Sequence, residues 1–304
     1  MTEHNIEDVF DDAIDLKSLF KIIWDKKIFV ASLTSAAAIL SVIYALSLPN
    51  IYTSSTLLAP TSKDESLSSQ LSGLSSLAGL AGVNLPAGSI SNSQIAVKRI
   101  ESFEFFSKYF LPNVKLENLM ATKEWNSKDN SIVYDGNSFD NITKKWKGTN
   151  KPSEQKAFKE YKRILRISQE ELTGLVYLSI EHKSPEIAKK WVDIIIYNIN
   201  ESMREIDKLD AQNSIDFLKK SSQTVSIQSI KEVVSKLLEG QMQTLMLASS
   251  NKAYVFKTIN SPIVPEDKSR PSRAIICILG TVLGGIMSIL FVLLQNYRKL
   301  SRKN

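Results

Sequence analysis

Two uninterrupted apolar runs dominate the pattern of the chain. Residues 28–48 carry no charge and include Phe29, Val30, Leu33, Ile39, Leu40, Val42, Ile43 and Leu46. Residues 274–294 carry none either and read AIICILGTVLGGIMSILFVLL. Each run is about 20 residues, enough to cross a hydrocarbon core at about 1.5 Å per residue. With no water available to backbone groups there, a helix is the conformation expected of each. The first run is too long and starts too late for a cleaved signal peptide, and Leu48-Pro49-Asn50 is no small-x-small cleavage site. Lys17, Lys21, Lys26 and Lys27 precede the first run, and Arg298, Lys299, Arg302 and Lys303 follow the second. The flank after Leu48 has no Lys or Arg until Lys63, whereas Lys268, Arg270 and Arg273 stand before Ala274 beside Glu266 and Asp267. On balance the positive-inside rule places both termini in the cytoplasm. The expected layout is a cytoplasmic segment 1–27, a membrane helix 28–48, an external domain 49–273, a second membrane helix 274–294 and a cytoplasmic tail 295–304. Gly280, Gly284 and Gly285 include a G-x-x-x-G spacing, which lets helix backbones approach in lipid.

Between the runs the period changes repeatedly. IYTSSTLLAP, residues 51–60, is β-branched and reads as a strand. Residues 66–89 are Ser/Gly/Ala/Leu-rich. Leu67, Leu71, Leu74, Leu77 and Leu80 suit a helix face that Gly73, Gly79 and Gly82 weaken, which reads as a mobile, partly helical segment. Residues 93–120 read as helix, with Ile95, Ile100, Phe103, Phe106 and Phe110 apolar and a break at Leu111-Pro112. Residues 122–152 read as a polar surface loop pinned by Trp125 and Trp146. Residues 153–166 read as a helix capped by Ser153, with Phe158, Tyr161 and Leu165 on one face. GLVYLSIEH, residues 174–182, alternates Val176, Leu178 and Ile180 to one side of a strand.

Ser184-Pro185-Glu186 is a helix start, combining a cap, a proline at the first turn and an acid at the positive dipole end. The apolar spacing of Ala188, Val192, Ile195, Ile199, Met203 and Ile206 continues through Leu209, Ile215 and Leu218. That is about 35 residues, or roughly 50 Å of helix. A polar break at 221–226 separates it from a second helix over about 227–247. These helices, residues 185–250, form an arm too long to bury itself, so it is expected to pack against neighbours. AYVFKTIN, residues 253–260, reads as a last strand. Pro262, Pro265 and Pro271 then impose an extended segment that sets how the domain meets the second apolar helix. The expected fold class is α+β: two transmembrane helices flanking a domain with a mixed sheet near the membrane and a long helical arm.

Composition changes this picture little. The 304 residues are 43% hydrophobic and 23% charged, with a net charge of +6. Much of that excess flanks the apolar runs, which favours anionic lipid over nucleic acid as the partner. Cys277 is the one cysteine, so no intrachain disulfide forms. His4 and His182 stand far apart, and no zinc spacing, phosphate loop or nucleophile elbow occurs. Glu7, Asp8, Asp11, Asp12 and Asp15 read as a solvated tail rather than a metal site. Glu170 and Glu171 read as surface carboxylates, His182 as structural, and Tyr297 as a weak phosphorylation candidate. Trp125 and Trp146 among basic residues suit a pinned loop better than single-stranded nucleic acid. No enzyme activity and no cofactor are expected.

DLKSLFKIIWDKK (residues 15–27) leads into the first apolar run, and IYTSSTLLAP follows that run. GLVYLSIEHKSPEIAKKWVDIIIYNIN (residues 174–200) carries Ser184, Pro185, Ala188 and Trp191, and SPIVPEDKSRPSR enters a glycine-bearing last helix. With these segments in this order, the layout resembles the Wzz family of polysaccharide chain-length determinants, or co-polymerases, over essentially the full length. The stretches 122–152 and 221–226 match no motif. The resemblance implies ring-like or bell-shaped homo-oligomers in a Gram-negative inner membrane, with arms in the periplasm. It implies work with the polymerase of the flippase-dependent pathway on undecaprenyl-linked repeats, setting the modal length of O-antigen or a related glycan without catalysis. Lipid-linked glycan is a further ligand to consider. Larger relatives carry a cytoplasmic tyrosine kinase after the second helix; with only 295–304 remaining here, none is expected. The alternatives are a capsule or exopolysaccharide co-polymerase with a separate kinase chain, or a periplasmic sensor or scaffold. A sensor needs an output domain that the tail cannot supply, and a glycan-processing enzyme needs paired carboxylates in a cleft.

Overall fold

The computed structural model describes residues 23–61, 91–148, 151–224, 228–250 and 253–301. The leucine-bearing segment 66–89 and the acidic cluster Glu7 to Asp15 lie outside them. The chain divides into two units, residues 1–50 with 269–304, and residues 51–268.

In chain order the elements are helix α1 (Lys27–Ser47), strand β1 (Tyr52–Pro60), helix α2 (Asn92–Ile100), short helical turns over Phe103–Asn113, and helix α3 (Leu116–Met120). Strands β2 (Thr122–Asn126), β3 (Ser131–Tyr134), β4 (Phe139–Asp140) and β5 (Lys145–Trp146) follow. Helix α4 (Glu154–Ile164), strands β6 (Leu165–Gln169) and β7 (Val176–His182), helices α5 (Pro185–Thr224) and α6 (Gln228–Ser250), strand β8 (Phe256–Asn260) and helix α7 (Arg273–Ser301) complete it.

The first unit is the antiparallel pair of α1 and α7. Both helices are long and apolar enough to cross a membrane.

The second unit is built on a four-stranded sheet in the order β6-β7-β1-β8. Every neighbouring pair is antiparallel, so the expected mixed sheet is corrected. The cause lies in the connections. A short turn joins β6 to β7, and the helices α5 and α6 carry the chain from β7 to β8, leaving antiparallel β1 inserted between those two. Strand β6 was not expected at all: helix α4 stops at Ile164, and Leu165 opens a strand paired with Ile180. On β7, Val176, Leu178 and Ile180 are buried at alternate positions, each such side chain stabilising by about 1.5–3 kcal/mol.

The core lies between this sheet, α5 and the turns around Phe106. Phe110 sits 4.7 Å from Tyr161 and 5.6 Å from Trp191 between ring centroids. The fully buried Tyr161 hydroxyl donates to the Ile100 carbonyl at 3.0 Å, and burial raises its pKa so that it stays protonated. The single helical face expected over 93–120 fails at Ser102. That residue caps a new turn by accepting from Phe105 N. The phase is reset there, so Phe105 and Tyr109 are buried while Ile95 and Phe103 are exposed. Within 122–152 the expected loop is two hairpins, β2–β3 and β4–β5. Phe139 faces Trp146 across β4–β5 with the rings 5.2 Å apart, a cross-strand aromatic pair that stabilises so short a ribbon, and Trp125 of the first hairpin meets Tyr52 of the main sheet at 5.4 Å.

Helix α5 runs 40 residues, about 60 Å. It extends through the expected break as far as Thr224; residues 225–227 lie outside the described set, and α6 begins at Gln228. Helix α6 packs along α5, with Ala211 and Ile215 buried on the long helix and Ala248 on its neighbour. Leu209, expected in the buried stripe, is instead 62% exposed.

Candidate functional site

Within the helix pair, small residues set the approach. A Cβ built on Gly280 would lie 2.4 Å from Ser41 Cβ, and one on Gly284 would lie 2.3 Å from Ala37 Cβ. Neither leaves room for a side chain without the helices moving. Gly285 differs, since a Cβ there would meet Thr34 atoms only at 3.9 Å, an ordinary contact. Polar atoms recur along the seam. Lys26 donates to Gln295 at one end, and Arg273 donates to Asn50 at 3.0 Å at the other. Midway, the Ser288 hydroxyl donates to the Gly285 carbonyl at 2.8 Å and receives Thr34 Oγ1 at 3.3 Å.

In the second unit, β8 ends where the prolines begin. Pro262 has no N–H to give to a ladder. The β1–β8 register also shifts between Leu57 and Leu58. Two buried β1 hydroxyls take over from backbone pairing. Thr56 Oγ1 donates to the Asn260 carbonyl at 2.6 Å, and Ser54 Oγ donates to the Ile263 carbonyl at 2.8 Å. Pro262 is buried on this stretch and Pro265 half-buried. Pro271 belongs to the other unit, one residue before Ser272, whose carbonyl accepts from Ile275 N at 3.0 Å at the start of α7. Replacing Ser54 by alanine together with Thr56 by valine removes two donors, each contributing about 1 kcal/mol. Proteolysis within 261–265 is then expected to speed up by about tenfold or more, read by the fragment pattern of the folded chain.

The same stretch is held from the helix side by Asn200, a buried residue on α5. Its Oδ1 accepts from Tyr254 N at 2.9 Å, Val255 N at 2.8 Å and Phe256 N at 3.0 Å. Its Nδ2 donates to Phe256 O at 3.2 Å and to Ile196 O at 3.0 Å. One amide thus fixes the chain as it enters β8. Nearby, the Tyr254 hydroxyl donates to Asp207 at 2.6 Å, and burial together with that carboxylate raises the phenol's pKa. Sequence reasoning named none of Ser54, Thr56 and Asn200. The only available signal was polar residues at positions where the apolar period predicts an inward face.

His182 occupies a closed structural setting. Nδ1 accepts from Ser184 N at 2.9 Å, which leaves the proton on Nε2, and that nitrogen donates to the Asn118 carbonyl at 3.0 Å. Trp191 lies edge-on at 4.9 Å. Burial, the largest cause, holds the imidazole below its ordinary value near 6.5. The folded state therefore favours the neutral ring. Its contribution is complete above that ordinary value and is lost as pH falls from there through the lowered folded value. Unfolding midpoints in urea are expected to fall below pH 6.5 in the native chain, with a flatter slope in His182→Gln.

Among the described residues no group of three or more His, Cys, Asp or Glu is placed to hold a metal. Glu170 and Glu171 lie in the β6–β7 turn, where the Glu170 carboxylate accepts the Thr173 hydroxyl at 2.5 Å. The side chain of Tyr297 lies outside the described set.

The family model for the chain length determinant protein, Wzz, matches residues 12–108, which take in α1, β1 and α2. Among solved structures, a full-length bacterial polysaccharide co-polymerase is similar at 14% identity with a TM-score of 0.43, covering 94% of this chain and 98% of that one. A fragment of WzzB, the polysaccharide co-polymerase from Salmonella Typhimurium, is similar at 14% identity with a TM-score of 0.32, covering 73% of this chain and 100% of that one. No curated protein matches the chain.

Proposed function

We propose that this chain regulates the length of a surface polysaccharide as a homo-oligomeric co-polymerase of the inner membrane, acting with the polymerase of the flippase-dependent pathway on O-antigen or a related glycan. The observation that carries this reading is the Wzz match over residues 12–108. It joins the first apolar helix to β1, an inner strand of the sheet. The membrane part of the reading is supported by two helices of spanning length and by the lysines and arginines on their outer flanks. On that reading both termini are cytoplasmic and residues 49–273 are periplasmic. Gly280 and Gly284, with Gly285 beside them, set membrane-helix packing, and Pro262, Pro265 and Pro271 form the junction between domain and membrane.

The arm supports assembly. Phe217 and Met246 are each 69% exposed and Val233 is 53% exposed, which leaves apolar area on both α5 and α6 that copies of the chain would cover. Regulation then consists of biasing when the polymerase stops, not of bond chemistry. Reconstitution tests this reading. Purified chain alone is expected to leave lipid-linked glycan unchanged, and to narrow the product lengths when the polymerase is added. Cleavage or extension by the chain alone, or an unaltered length distribution with polymerase, would overturn it.

A further inference from the structure

Along the start of α1 runs a groove of about 390 Å³, bordered by Trp24, Lys27, Ala31, Ser35 and Ala38 and, from α7, Thr281. The Lys27 ammonium lies 5.0 Å from the centroid of the Trp24 ring at its mouth. We infer that this groove binds one acyl chain of an anionic glycerophospholipid from the cytoplasmic leaflet, with the phosphate at Lys27. The inference rests on the membrane reading proposed above.

Three features select this occupant. The mouth is basic and aromatic, the combination suited to the headgroup level, where an amphipathic ring and an ammonium both stay wet at one end. Below it the lining, Val30, Ala31, Thr34, Ser35 and Ala38, is uncharged and free of long side chains, so the floor is a channel for a thin chain. The extent is the third feature. From Lys27 to Ala38 is about 16 Å at the helical rise, close to the ~15 Å of one leaflet in a core about 30 Å thick. The groove therefore ends near the midplane, where an acyl chain ends. A third transmembrane helix would need a surface across the whole span. The α1 lining of the groove ends at Ala38; beyond it Ile39, Leu40, Val42 and Ile43 are exposed, as Ile28, Phe29 and Leu33 are beside the groove, an ordinary lipid-facing surface.

The test uses the full chain in nanodiscs holding equal amounts of phosphatidylglycerol and phosphatidylcholine, with native mass spectrometry of the lipids retained on release. Retention of phosphatidylglycerol is expected to exceed that of phosphatidylcholine by about fivefold, the equivalent of the ~1 kcal/mol that a lysine near an anionic surface contributes. Lys27→Gln should erase the preference while leaving a lipid bound. Ser35→Leu with Ala38→Leu should fill the channel and remove bound lipid of both kinds. Leu40→Ala, outside the groove, should change nothing. Equal retention of both lipids by the native chain, or retention untouched by both groove variants, overturns the inference. So does a co-purifying protein helix that Ser35→Leu with Ala38→Leu displaces. Alkaline carbonate separates the two levels. If it strips the chain from membranes, the membrane reading fails and the groove with it. If the chain stays integral but shows no lipid preference, the groove inference alone fails.

Discussion

Asn200→Ala is expected to lower the melting temperature of the chain by about 6–12 °C. The side chain is a single amide inside the core, and its Oδ1 accepts from three successive backbone N–H groups, those of Tyr254, Val255 and Phe256. Truncation leaves these donors, and the Phe256 carbonyl, without that partner in a buried place. Each buried polar group left unsatisfied costs about 1–3 kcal/mol. A total of at least ~3 kcal/mol follows, which in a domain of this size corresponds to about 2–4 °C for each kcal/mol. That is a large part of the 5–15 kcal/mol by which domains are ordinarily stable. Asn200→Asp retains an acceptor for the three donors but loses the donation to Phe256 O. Its midpoint should fall between those of the native chain and Asn200→Ala. The transition can be followed by the fluorescence of tryptophan, since Trp191 is buried in the same core. A melt of Asn200→Ala unchanged within 2 °C, about the effect of one ~1 kcal/mol contact, would show that the clamp is not what holds this segment.

Gly280→Leu combined with Gly284→Leu is expected to break the close packing of α1 and α7. At both positions even a Cβ would collide, at 2.4 Å and 2.3 Å from side chains of α1. The helices must separate, and the Thr34–Ser288 contact is lost with them. Over-packing of this kind costs about 1–3 kcal/mol per site. With the pair in a bilayer, as proposed, no hydrophobic gain from helix association offsets it, because acyl chains are as apolar as leucine. Under the proposed function, the expected readouts are a dispersed oligomer on native gels after mild detergent extraction and a glycan ladder without a modal cluster, at normal protein level. Gly285→Ala supplies the contrast, because its added methyl meets Thr34 only at contact distance, and it should leave both readouts as they are.

The parts legible in the sequence are those where one period runs undisturbed. The apolar runs, the alternation of Val176, Leu178 and Ile180, and the Ser184-Pro185 start of α5 each depend on local preference alone. The stripe Ala188, Val192, Ile195, Ile199 and Met203 is buried as its spacing implies. Where a cap resets the phase, as Ser102 does, a single period assigns the wrong face and Ile95 stands outside. Leu165 was hidden because α4 passes straight into β6 with no turn residue between them. The hairpins of 122–152 were hidden by polarity, and the contact that ties the first of them to the main sheet, Tyr52 with Trp125, joins residues far apart in sequence. Strand direction in the sheet depended on connections that periodicity does not reveal. Among the residues of the helix pair, Gly280 and Gly284, where the approach is tight, stand at a spacing visible in the sequence, whereas Gly285 beside them makes only an ordinary contact. Asn200, Ser54 and Thr56 could not be found by spacing, because the partners that tie them to the last strand and the segment after it are backbone atoms more than fifty residues away in sequence.

The proposed function is that this chain sets polysaccharide length. The most direct measurement is the ladder of surface polysaccharide on a gel, compared between a strain lacking the chain and the same strain with it restored. The modal band cluster is expected to disappear in the first, leaving short and randomly distributed lengths, and to return in the second. A ladder with the same modal cluster in both strains would contradict it.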